Sequence, residues 1–236
     1  MHSSLGDGLN TVSDILEWVE HRTDLDIISI TDHDDPSASL QARNLAARRG
    51  YRFSVVPGME VTTRRGHLLV YGIEERLPRL RTPEETAYAV AERGGWCIAP
   101  HPMSALTLSL HGPGLLAVAN AGVLTGLEML NSSPAGRLGV VKARRFNAEH
   151  LMVAETGGSD AHKRELIGSA YTEFDGRSVE ALRAGLHSLS AAPVGRYWTA
   201  RESAVGAGTV LGRAWFVMPA RHIARRRTER RNQPLR

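Results

Sequence analysis

The chain has 236 residues, a net charge of +4, 42% hydrophobic residues, 23% charged residues and a single cysteine, Cys97. This is an ordinary globular composition, and the lone thiol excludes a disulfide framework and a Cys-based zinc finger. No basic and apolar leader precedes Gly6, and no apolar run of about 18 residues occurs, so a secretory signal and a membrane span are not expected and the cytoplasm is the expected compartment. The charge is uneven. The stretch from Arg221 to Arg236 holds seven Arg against Glu229 and carries +6, which leaves the body at −2. The high isoelectric point therefore belongs to a tail.

The first element predicted is a helix opening at Thr11 and Asp14, a capping box with Asp in place of Glu, followed by Val12, Ile15, Leu16 and Val19 at helical spacing. Leu25 to Ile30 reads as a short buried strand. Ser37 to Arg49 is Ala-rich and helical, closed by Gly50. Phe53 to Val56 is a second strand, stopped by Pro57-Gly58. Val61-Thr62-Thr63 and His67 to Tyr71 flank Arg64-Arg65-Gly66 as a hairpin. Pro83 to Arg93 is a helix with Pro at its start and Gly94-Gly95 at its end. Strands follow at Trp96 to Ala99 and Leu127 to Leu130. Pro134 to His150 is a helix, Leu151 to Glu155 and Ala170 to Thr172 are strands, and Ser178 to Leu189 is a helix. This alternation predicts an α/β protein with a parallel sheet, either a barrel or doubly wound. The body is placed at residues 1–199. Residues 200–236 break the rhythm and form an Arg-rich C-terminal extension, expected to be loosely held.

Side chains suited to metal ions fall at the strand ends of this map. His2 and Asp7 lie in the opening loop. Asp32 and His33 follow the strand ending at Ile30, and Glu60 follows the one ending at Val56. His67 begins the return strand of the hairpin, His101 follows Ala99, and Asp160 and His162 follow the strand near Glu155. In parallel α/β folds the carboxyl ends of strands share one face, so these residues are expected to converge. Imidazole and carboxylate donors without thiolate suit Zn, Mn or Fe better than Ca or Mg. Eight candidate ligands exceed the needs of one ion, which predicts a cluster of two or three with a bridging carboxylate. Two ions about 3.5–4 Å apart can clamp a phosphoryl group for in-line attack. Simple caps are the competing reading for Asp32 and Asp160.

The segments His2-Ser3-Ser4-Leu5-Gly6-Asp7-Gly8, Ile30-Thr31-Asp32-His33-Asp34, Pro57-Gly58-Met59-Glu60, Ala99-Pro100-His101-Pro102 and Gly158-Ser159-Asp160-Ala161-His162 resemble, in order and spacing, the motifs of the PHP (polymerase and histidinol phosphatase) family. Glu128-Met129-Leu130-Asn131 and Ile167-Gly168 also fit its pattern. The resemblance runs from His2 to about residue 195. It implies a distorted seven-stranded β/α barrel, a site of two or three Mn, Fe or Zn ions, and phosphoesterase activity. On that resemblance His2, Glu60 and Asp160 hold a first metal. Glu60 bridges to a second held by His67 and His101, and Asp7, His33 and His162 hold a third. Glu60, His101 and Asp160 take the catalytic role, and Asp32 orients His33. The family's first motif is His-x-His after a short strand. Here Met1 stands at the middle position, so the resemblance implies that the first strand and first His are missing, that the natural start lies upstream, and that the chain as given is less stable and poorly active.

The expected substrate is a phosphorylated small molecule or a nucleotide. Family members acting on nucleotides carry an insertion between the hairpin His and Ala-Pro-His-Pro, whereas 33 residues separate His67 from His101 here. Two other function classes fit less well. One is a non-catalytic PHP module. The other is a metal hydrolase acting on C–N bonds, which commonly needs a Lys after a strand, and Lys142 and Lys163 do not sit there. The Arg tail beside Trp215-Phe216 suits RNA or an acidic membrane surface.

Overall fold

The computed structural model describes residues 1–204. The Arg run, and nearly all of the expected extension, lie outside the described residues. Helix α1 spans Val12–Arg22, and its start is the expected capping box: Thr11 Oγ1 accepts from the Asp14 N–H, and Asp14 accepts from that of Thr11. Val12, Ile15, Leu16 and Val19 are buried on its inner face. Strand β1 is only Ile27–Ile28, and α2 (Ser37–Arg49) ends at Gly50, whose φ of 64° lets its N–H cap the last turn. Strand β2 (Ser54–Val55) pairs parallel with β1.

Strands β3 (Gly58–Thr63) and β4 (Gly66–Tyr71) form the hairpin, with Thr62 opposite His67. Helix α3 (Pro83–Ala91) leads to β5 (Trp96–Ala99), α4 (Gly112–Asn120) and β6 (Leu124–Asn131). After α5 (Pro134–Arg137), α6 (Val140–Phe146) and a π-helical turn over Asn147–Leu151 comes β7 (Ala154–Gly158). Strand β8 (Ala170–Glu173), α7 (Val179–His187) and β9 (Ala192–Gly195) complete the described part. Among the described residues none of the helices is long and apolar enough to cross a membrane.

The strands form a five-stranded sheet of order β3-β4-β5-β6-β7 and two pairs, β1-β2 and β8-β9. The β5-β6-β7 part is parallel, while the hairpin is antiparallel. A single bridge between His33 and Glu60 ties the β1-β2 pair to β3. The result is a mixed α/β fold, and no closed barrel is present among the described residues. A cavity of about 640 Å³ is lined by Met1, Ile28, Tyr71, Thr156 and Tyr171 and reaches His2, Glu60, His101 and Asp160. Met1 sits at its border, where its carbonyl accepts from the Thr31 N–H at 2.9 Å and the next N–H, of His2, reaches the Ala161 carbonyl.

Two large apolar clusters and a smaller one around Trp96 and Leu186 hold the described part together. Met59, Val61, Leu68, Leu115, Leu127 and Met129 fill one large cluster, and the inner faces of α1 and α2 pack with Ile28 and Ile30 in the other. Several expected boundaries shift. Glu60 lies inside β3 rather than after a strand, because the hairpin strand begins at Gly58. The expected strand at 151–155 is instead 154–158, since a left-handed Met152 (φ 52°) ends the preceding turn. The expected helix from Pro134 to His150 is broken at Gly139, whose φ of 99° no helix admits. Helix α4 and strand β9 carried no sequence reading.

Candidate metal centre

The opening loop, the segment after β1, the ends of β5 and β7, and the β3-β4 hairpin bring all eight expected side chains to one largely buried cluster. His2 stands at its middle. Its Nδ1 lies 3.4 Å from Asp7 Oδ1, while its Nε2 lies 3.3 Å from Glu60 Oε2 and 3.4 Å from Asp160 Oδ1. Glu60 Oε1 points the other way, 2.8 Å from His67 Nδ1 and 3.6 Å from His101 Nε2. His162 Nε2 is 3.2 Å from Asp7 Oδ2, and His33 Nε2 is 3.8 Å from the same oxygen.

Three groups have donor atoms within 4.8 Å of one another: His2, Asp7 and His162; His2, His33 and Glu60; and Glu60, His67 and His101. The last is the trio expected for a second ion. The other two differ from the expected sets, with His2 in place of His33 beside Asp7 and His162, and His33 in place of Asp160 beside His2 and Glu60. Asp160 touches the cluster through His2 and Asn131.

The donor set fits a divalent ion. His2 Nδ1, Asp7 Oδ1, Glu60 Oε1 and His67 Nδ1 are buried without a hydrogen-bond partner, although opposite groups lie within reach. Buried polar atoms rarely stay unpaired. Atoms that crowd together without aiming at each other suit a shared cation, because ligands about 2.1 Å from one ion stand roughly 3–4 Å apart.

The electrostatics are those of a site demanding positive charge. Burial opposes charging of His2, but Asp7, Asp160 and Glu60 outweigh it and hold the imidazole well above its ordinary pKa. Burial likewise opposes ionisation of Glu60, Asp7 and Asp160, yet the surrounding imidazoles hold all three below the usual carboxylate range. For His33 burial prevails and its pKa falls.

Several groups fix the imidazoles. His101 Nδ1 is 3.1 Å from Ser109 Oγ, which turns Nε2 toward Glu60. His162 Nδ1 lies 2.9 Å from the Asp160 carbonyl, which turns Nε2 toward Asp7. Such outer contacts set the ring tautomer of metal-binding histidines. Asp32 does not orient His33. Its carboxylate accepts from the Ser3 N–H and hydroxyl, at 2.6 and 2.5 Å, and so braces the loop that carries His2. Ser109 escaped the sequence reading because an isolated serine in a loop has no periodic or motif signal.

A mixed α/β fold around a buried imidazole and carboxylate cluster defines the class of protein. The PHP-associated family profile matches residues 142–190. An uncharacterised protein of Methanocaldococcus jannaschii is 32% identical over 92 residues, covering 39% of this chain and 53% of that one. The chain thus spans about half the length of this curated relative. Two solved structures share the fold. One is a two-domain protein from Bacteroides vulgatus containing a predicted PHP-like metal-dependent phosphoesterase, with a TM-score of 0.67 and 18% identity over 83% of this chain and 63% of that one. The other is the lesion-specific endonuclease Q of Pyrococcus furiosus, with a TM-score of 0.57 and 18% identity over 80% of this chain and 55% of that one. The chain is thus similar to PHP-like proteins in fold, and its residues 142–190 match the PHP-associated profile.

Proposed function

We propose that this chain is a metal-dependent phosphoesterase that hydrolyses a phosphate ester on a small molecule or nucleotide. The observation that carries the reading is the position of Glu60, whose two oxygens face different donor groups, His2 on one side and His67 with His101 on the other. In this reading Glu60 would help to hold two or three Mn, Fe or Zn ions together with His2, Asp7, His33, His67, His101, Asp160 and His162. The scaffold is read as a distorted seven-stranded barrel, with β1-β2 joined to the main sheet through the His33–Glu60 bridge.

Divalent ions held there supply Lewis-acid polarisation and charge neutralisation at a phosphoryl group. The protein supplies the rest. Buried His2 and Glu60, each 3% exposed, keep bulk water from the floor of the site. His33, His67 and Asp160 are partly exposed and form its open side, where an ester enters. Ser109 and the Asp160 carbonyl hold two imidazoles so that their Nε2 atoms face inward. The fold shared with the Bacteroides vulgatus protein, which contains a predicted PHP-like metal-dependent phosphoesterase, supports the reading. The test is hydrolysis of p-nitrophenyl phosphate by the Mn-loaded chain, followed by a panel of phosphomonoesters, nucleotides and phosphodiesters. Turnover that H33A and E60Q each abolish supports the reading, and metal-independent turnover overturns it.

A further inference from the structure

Strand β6 lies between β5 and β7 in the sheet, so its C-terminal end is the structural element that reaches the ligands carried by both neighbours. Two buried side chains at that end, Glu128 and Asn131, do so. Glu128 Oε2 accepts from the His101 backbone N–H at 3.3 Å and from Asn131 Nδ2 at 2.8 Å. The Asn131 amide nitrogen also lies 3.4 Å from Asp160 Oδ2. On its other side Asn131 Oδ1 accepts from the Ser133 N–H and hydroxyl, at 3.0 and 2.6 Å, which fixes the amide's orientation.

His101 and Asp160 each sit two residues beyond their strand ends, and each has left-handed backbone, with φ of 33° and 49°. Non-glycine residues hold such conformations only where the surroundings over-determine them. We infer that Glu128 and Asn131 are positioning residues that brace the two sides of the metal centre, Glu128 through the His101 backbone and Asn131 through the Asp160 carboxylate. This inference rests on the proposed metal centre.

The chemistry of the pair fits the task. An amide nitrogen has two hydrogens, one for each carboxylate, and carries no charge to compete with a cation. With Oδ2 held by Asn131, Asp160 turns Oδ1 toward His2, 3.4 Å away. The Glu128 side chain is spent on these two donors, and its other oxygen lies against Gly158, where a Cβ would come within 1.9 Å of it. Glu128 therefore acts on the site through the His101 backbone and the Asn131 amide.

Calorimetric titration of Mn²⁺ into the chelator-stripped 236-residue chain tests this without reference to activity. N131A is expected to weaken Mn²⁺ binding at one site about 10–100-fold, the range for outer contacts of metal ligands. E128A should do likewise, whereas E128Q, which keeps an accepting oxygen, should stay well inside that tenfold margin. Loaded with excess Mn²⁺, N131A should regain turnover with KM unchanged and the Mn²⁺ requirement raised, a rescue that general loss of packing does not permit. Melting curves of the stripped variants confirm that each is folded before titration. Mn²⁺ binding by N131A equal to the parent overturns the brace alone. E128Q as damaging as E128A overturns the accepting role of Glu128. A parent chain that binds no Mn²⁺ overturns both this inference and the proposed metal centre.

Discussion

Glu60 has one oxygen 3.3 Å from His2 Nε2 and the other 2.8 Å from His67 Nδ1. Replacing one of those oxygens by an amide removes both the charge and the second acceptor. E60Q should therefore lose at least one ion per chain by elemental analysis and lower turnover by at least the roughly 100-fold that bounds outer-contact losses. Full occupancy in E60Q would refute the role of Glu60 in holding the ions. The pH dependence has a definite sign. A proton on His2 competes with a cation, and the carboxylates around it hold its pKa well above the ordinary imidazole value. Metal affinity should therefore rise with pH across the neutral range, with protons released on binding. Titrations in buffers of different ionisation enthalpy measure this release, and an affinity independent of pH between 6 and 8 would argue against it. In the metal-free chain the depressed Asp7, Glu60 and Asp160 add stability above the unfolded carboxylate range, which is lost as pH falls through their folded values. His2 works the opposite way, adding stability at low pH that fades as pH rises through its folded pKa. At this scale the meeting of the eight side chains was legible in the sequence, because most of them fall in loops or at strand ends that parallel topology brings to one face. The grouping of His33 was not, since which imidazole faces which carboxylate depends on loop paths. Asp32 was misjudged because neighbours in sequence are not neighbours in hydrogen bonding.

The β3-β4 hairpin and the loop after β5 depend on each other. Gly66 has a φ of 149°, and a Cβ there would lie 2.4 Å from the Leu110 nitrogen and the Ser109 carbonyl carbon. That loop carries Ser109, the partner of His101, and the Leu108 carbonyl accepts from the His67 N–H. G66A should destabilise the chain by about 1–3 kcal/mol through overpacking and should weaken metal binding at the same time. Urea unfolding and Mn²⁺ titration check both, and a variant with parental values would mean the two backbones separate freely. Among elements, α1 was fully legible, because a capping box and a 3.6-residue apolar repeat agree there. The helix expected from Pro134 to His150 was not. Its periodicity continues through Gly139, while the close approach of that glycine to the Met103 carbonyl forces a left-handed turn. Strands β1 and β2 shrink to two residues each because pairing, not apolar content, defines a ladder.

Across the whole molecule the donors span residues 2 to 162, so they meet only in the folded chain. Ions binding only the native state stabilise it by about 2.7 kcal/mol at a hundredfold excess over Kd. For a chain of this size that corresponds to roughly 5–10 °C in Tm. Thermal melts with Mn²⁺ and with a chelator should differ by that order, and coincident curves would contradict ion binding in the cluster. The α/β class and the shared site were legible from strand and helix alternation. The division into sheets of five, two and two was not, because edge pairing is decided by long-range geometry that no local pattern records.

The path of residues 1 and 2 makes Thr31 a lever on the donor cluster. The Met1 carbonyl accepts from the Thr31 N–H at 2.9 Å at the border of the cavity, and His2, one peptide further on, is already among the donors. Whatever shifts the backbone at Thr31 therefore shifts an imidazole at the heart of the cluster, although Thr31 itself offers no ligand.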